Sequence, residues 1–164
     1  MVRLILLALM CLSGVAGAME PVEVSDTRFA RATLTVMGPD GAVEYPPSQL
    51  EELGTYELTT VTPWRADAAE FIGVRLVDLL AANGLEDAQA TRVIAENDYA
   101  VTIHRESWIN HQALIATRVN GRAHSRRERG PLQFVFDMSD EPETGEKTFE
   151  ANWVWMAARI ERLE

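Results

Sequence analysis

The sequence predicts an α+β fold, strands with a few short helices, and three observations predict it. Short stretches of alternating apolar and polar residues recur between turn signals along the chain. One segment, Arg75 to Asn83, carries a clear helical period, with Leu76, Leu79 and Leu80 on a single face. No repeat, low-complexity tract or linker divides the 164 residues, a length that suits one domain with its own core.

The first eighteen residues stand apart. Arg3 supplies a positive start, Leu4 to Val15 is nearly all apolar, and Ala16-Gly17-Ala18 places small residues where a signal peptidase cuts. The expectation is a signal peptide over 1–18, cleaved after Ala18, and a periplasmic or secreted domain over 19–164. A membrane anchor is disfavoured because the apolar run is well short of the roughly 20 residues a bilayer core needs. Lipidation at Cys11 is disfavoured because bulky Met10 stands where a small residue is needed. Cys11 is the only cysteine. Its removal leaves no thiol for a disulfide, a soft metal or a nucleophile.

Beyond it, Ala32 to Met37 reads as a strand with Leu34 and Val36 on one face, and Gly38-Pro39-Asp40-Gly41 turns it into Ala42 to Tyr45. Pro46-Pro47 stops that strand. Ser48 is the expected cap of a short helix running to Leu53 and closed by Gly54. Tyr56 to Val61 alternates again, and the helix of Arg75 to Asn83 ends at Gly84. Arg92 to Glu96 and Tyr99 to His104 read as strands joined at Asn97-Asp98, followed by a polar or single helical turn, Arg105 to His111. Ala113 to Val119 is a strand leading into Asn120-Gly121, the strongest hairpin signal because both residues tolerate positive φ. Leu132 to Asp137 is an apolar strand after Gly130-Pro131, Ser139 to Glu146 an acidic exposed loop, and Trp153 to Ile160 a closing strand.

Charge narrows the function. Fifteen basic residues face 25 acidic ones for a net charge of −10, and loss of Arg3 makes the product one unit more negative. Nonspecific nucleic-acid binding and attraction to anionic membranes need the opposite sign. Lys147 is the only lysine. The arginines that make up the rest hold carboxylates and oxyanions through a planar fork.

Four clusters can carry chemistry. In Thr59-Thr60-Val61-Thr62-Pro63-Trp64-Arg65, a strand leaves through a proline into an indole and a guanidinium, which suits a flat anion. The same residues also suit a loop that covers the core. Asn97-Asp98-Tyr99 reads as an ordinary turn or as part of a ligand cleft. Gly121 to Pro131 gathers Arg122, Arg126, Arg127 and Arg129 with His124, a basic island that attracts anions unless its charges are paired locally. Strand alternation puts Trp153 and Trp155 on one face, as core or as ligand platform. His104 and His111 have no third ligand nearby in sequence. No phosphate loop, HExxH pair or nucleophile elbow is present.

In combination, the order of these pieces resembles the oxidoreductase molybdopterin-binding domain, the sulfite-oxidase-type fold, in its small exported single-domain members. The resemblance runs from about Ala32 to Ile160. It rests on Thr62-Pro63-Trp64, on Phe71-Ile72-Gly73-Val74-Arg75 through Leu79-Leu80 with Asn83-Gly84, and on Asn97-Asp98-Tyr99-Ala100-Val101. It also rests on Leu114-Ile115-Ala116 leading to Asn120-Gly121, on Arg127 with Gly130-Pro131-Leu132, and on Trp153-Val154-Trp155. It implies a mixed, mostly β, sheet- or barrel-like core with a pterin cofactor in a cleft and a cysteine thiolate on molybdenum. This chain offers only Thr60 or Thr62 near the thiolate position, and a neutral hydroxyl is a poor ligand for a soft metal. Asp137 stands where the small members tend to have proline, an expected change at the cleft edge.

The resemblance implies that Arg127 and Arg65 meet anionic groups and that Trp64 or Tyr99 stacks, with Asn97 and Asp98 completing the set. It leaves two classes of function. One is an exported binding or sensory module for a small anionic ligand or a partner protein, for instance a membrane-bound sensor. The other is a molybdenum-pterin oxidoreductase or cofactor carrier with a redox partner.

Overall fold

The computed structural model describes residues 19–138 and 152–163. The expected signal peptide and the acidic loop Ser139 to Glu146 lie outside the described residues. The described residues form two sheets with three short helices. The α+β class is as expected.

The first sheet contains β1 (Glu20–Pro21), β4 (Tyr56–Thr62), β5 (Arg65–Arg75), β8 (Leu114–Val119), β9 (Arg122–Ala123) and β10 (Gln133–Val135). Its order is β1-β4-β5-β8-β10, with β9 also on β8, and every pairing is antiparallel. The second sheet contains β2 (Leu34–Gly38), β3 (Gly41–Tyr45), β6 (Ala90–Ala95), β7 (Ala100–His104) and β11 (Ala157–Leu163), in the order β3-β2-β11-β6-β7. Within it, β11 pairs parallel to β2 and antiparallel to β6. Between the strands lie α1 (Pro47–Glu51), α2 (Leu76–Ala82) and α3 (Arg105–Asn110). Among the described residues no helix is long and apolar enough to cross a membrane.

The alternation in the sequence becomes burial as anticipated: Leu34 and Val36 are buried, as are Leu76, Leu79 and Leu80 on the inner face of α2. Asn120 and Gly121 turn the β8–β9 hairpin at φ 48° and 72°, and α3 is the single helical turn expected.

Three expectations change. Ser48 does not cap α1, because the chain enters at Pro46 and puts Pro47 in the first turn, where a missing N–H costs nothing. Arg75 is the last residue of β5 rather than a helical one, and its guanidinium pairs with Asp78 at 2.7 Å and lies over Tyr56. The closing strand begins at Ala157 instead of Trp153, since Met156 at φ 50° breaks the extended run. The residues before that break cross between the sheets: Val154 O accepts from Phe134 N, and Met156 O accepts from Glu96 N.

A bulge in β8 prepares the site. Ile72 pairs with Arg118 and Gly73 with Ala116, so Thr117 is the extra residue. The carbonyl of Thr117 accepts the N–H of His124 at 2.8 Å, which ties the basic loop to the bulge.

Candidate functional site

Thr62 pairs with Arg65, so Pro63 and Trp64 form the tip of the β4–β5 hairpin instead of opening into a loop. The Trp64 indole folds back onto the two tryptophans ahead of β11. It meets Trp155 edge to face at 4.6 Å and 87°, and Trp153 at 6.1 Å and 89°. Trp153 packs in turn on Phe136, and it is buried, whereas Trp64 stays 39 % exposed. Edge-to-face pairing of this kind fixes ring orientation as well as adding attraction.

The basic loop is sorted by its ion pairs. Arg126 forks onto Glu96 at 2.5 and 2.8 Å, and this contact raises its pKa. Arg122 lies 3.8 Å from Glu128, whose carboxylate also accepts from the Ser125 hydroxyl. Arg129 adopts φ 76°, and its guanidinium lies 4.8 Å from the Trp64 ring centroid and 4.3 Å from that of Trp155. Arg127 makes no ion pair or hydrogen bond among the described residues.

Trp64 lines two cavities. The first, about 280 Å³, is bounded by Thr62, Phe71, Val119, His124, Gln133 and the run Arg127, Glu128, Arg129. Two buried residues on its wall are bonded to each other: His124 contacts Gln133 Oε1 through Nε2 at 2.8 Å. An amide oxygen only accepts, so Nε2 is the donor. A Cβ on Gly130 would come within 2.7 Å of the His124 ring, which explains the glycine there. The second cavity, about 270 Å³, is lined by Trp64, Ala95, Asn97, Tyr99, Trp153 and Trp155.

The expected site residues therefore divide. Trp64 borders both cavities, Thr62 and Arg127 the first, and Asn97 and Tyr99 the second. Asp98 lines neither; it takes φ 64° in the β6–β7 turn, where Asn97 Oδ1 accepts from Tyr99 N. Arg65 is the first residue of β5, beyond Trp64, and only its backbone is described. Asp137 lines neither cavity and bonds through its N–H to His111 O. Arg129, Trp153 and Trp155 stood in candidate clusters, the tryptophans as core or ligand platform, but were not placed in the expected site, and Gln133 was not named. Arg129 and the tryptophans belonged to clusters whose partners are distant in the chain, and Gln133 gave no signal.

Thr60 is buried, with its hydroxyl bonded to Val61 O and Met138 N, each at 3.3 Å. Among the described residues no three His, Cys, Asp or Glu side chains gather as a metal-ligand set. Among the described residues, Thr60 and Thr62 offer only neutral hydroxyls near the expected thiolate position, which do not fit a soft metal such as molybdenum.

No family model matches the chain, and no curated protein matches it. Among solved structures, the fold is similar to that in the crystal structure of the sulfane dehydrogenase SoxCD from Paracoccus pantotrophus. The TM-score is 0.59 at 15 % identity, over 80 % of this chain and 38 % of that one. The chain thus spans well under half the length of that neighbour. At this identity the likeness establishes a distantly shared fold.

Proposed function

We propose that the protein is an exported binding module, sensory rather than catalytic, which takes a small anion in the cavity beneath Trp64. One observation carries this reading: two of the four loop arginines are matched to Glu96 and Glu128, while Arg127 and Arg129 border a cavity and have no carboxylate paired to them among the described residues. Thr62 adds a hydroxyl. Glu128 works against the anion, but Arg122 and Ser125 hold its carboxylate. The volume sits just under the roughly 300–1,000 Å³ of drug-sized ligand sites, which favours a small guest. The partner proposed to read occupancy is a membrane-bound sensor, which goes with the expected export of the domain.

Sulfate and phosphate are the probes. Each is expected to raise the melting temperature of the purified protein, and Arg127→Ala is expected to weaken binding by about 1.5–3 kcal/mol, the contribution of a charge-assisted hydrogen bond. Equal affinity in that variant removes Arg127 from the site.

The shared fold favours a second reading, a molybdenum-pterin oxidoreductase or cofactor carrier. Molybdenum measured per chain, in protein isolated from its native compartment, separates the two. The module reading expects none, and a stoichiometric amount overturns it.

A further inference from the structure

The second cavity has a chemistry that a bare inorganic anion leaves unused. Four aromatic side chains line it, and two of them, Trp153 and Trp155, have buried indole Nε1–H groups with no acceptor among the described residues. Buried donors without partners are rare and costly, because desolvation is not repaid. A cationic guest is disfavoured, since the Arg129 guanidinium already lies over both Trp64 and Trp155. A flat ring bearing a hydrogen-bond acceptor satisfies both the aromatic walls and the indole donors. The partly exposed indole of Trp64 borders both cavities.

We infer that the ligand is a heteroaromatic carboxylate. Its acid group meets Arg127 and Arg129, and its acceptor-bearing ring lies between Tyr99 and the tryptophans. The inference rests on the anion reading above and names the class of anion.

The test compares nicotinate, benzoate and acetate on the purified protein, by calorimetry and by tryptophan fluorescence excited beyond the ligand absorption. All three present a carboxylate, benzoate adds a ring, and nicotinate adds a ring acceptor. Nicotinate is expected to bind at least tenfold tighter than acetate, with benzoate between them, and to change the tryptophan emission. Tyr99→Ala, at a residue 48 % exposed and so tolerant of truncation, is expected to cost nicotinate at least fivefold and acetate nothing. Trp155→Phe keeps a ring and deletes a donor, and is expected to lower nicotinate affinity while leaving benzoate unchanged. Equal binding of acetate and nicotinate, with both lost in Arg127→Ala, overturns the heteroaromatic assignment and leaves the anion cavity standing. If neither binds and sulfate and phosphate also fail, both readings fall.

Discussion

Gly73→Ala is expected to lower the melting temperature by roughly 10 °C, corresponding to about 3 kcal/mol in a domain of this size. The added Cβ would run into the carbonyl oxygen of Ile115 and come within 2.7 Å of Ala116 Cα. Both are backbone, so no side chain can turn aside. Gly73 lies in β5, the central strand of its sheet, so relief requires β5 and β8 to separate at the Thr117 bulge. Overpacking typically costs about 1–3 kcal/mol, and a rigid backbone neighbour puts this case at the upper end. Because Thr117 O holds His124 N, anion affinity should fall along with stability. Thermal melts within 2 °C of the wild type would show that the sheet gives easily there, contrary to this account.

Glu51→Ala should destabilise the fold by a similar or larger amount, about 3–5 kcal/mol, the cost of leaving one partner of a buried ion pair alone. Glu51, at the end of α1, accepts a fork from Arg118 Nε and Nη2 at 2.8 and 2.7 Å and a third bond from the Thr117 hydroxyl at 2.6 Å. The two charged side chains are only 7 % and 9 % exposed. Alanine leaves the guanidinium with the Ser25 carbonyl as its remaining hydrogen-bond acceptor among the described residues. The hydrogen bond to Glu51 raises the Arg118 pKa. The arginine's contribution is therefore fully present below the ordinary guanidinium range and lost as pH rises through the shifted value, so neutral and mildly alkaline buffers leave the arginine charged. Urea titration gives the number, and an unchanged slope confirms that the native state alone is affected. A loss under 1 kcal/mol would mean that water reaches the pair. The double variant Glu51→Leu/Arg118→Met should recover much of the loss, because a buried pair often does no better than well-packed apolar groups.

Much of the fold was legible where local signals and tertiary placement agree. The Leu76, Leu79, Leu80 stripe, the Asn120-Gly121 turn and the alternation around Leu34 and Val36 each combine propensity with the burial later found. Strand β5 was not legible over its first half. Ala66-Asp67-Ala68-Ala69-Glu70 has little intrinsic preference for extended structure, and it is held there by β4, with β8 pairing from Phe71 onward. The break at Met156 depends on contacts to both sheets, so regular alternation over Trp153 to Ile160 misplaced the start of β11. Of the residues that line the candidate cavities, Trp64, Asn97 and Tyr99 were named at strand ends, and Arg127 in the basic loop and from the family resemblance. The distinction between Arg127 and Arg126 could not, since it is made by Glu96 from another hairpin.

The place of β11 at the middle of its sheet bears on how the chain folds. Its neighbours β2 and β6 come from well-separated earlier stretches, and both rely on it for their pairing. A nascent chain lacking residues 157–163 holds only two separate hairpins, β2–β3 and β6–β7, each marginal in water by itself. Assembly of this half therefore waits until residues 157–163 have been made, and a chain that stops before them leaves the facing edges of β2 and β6 without a partner.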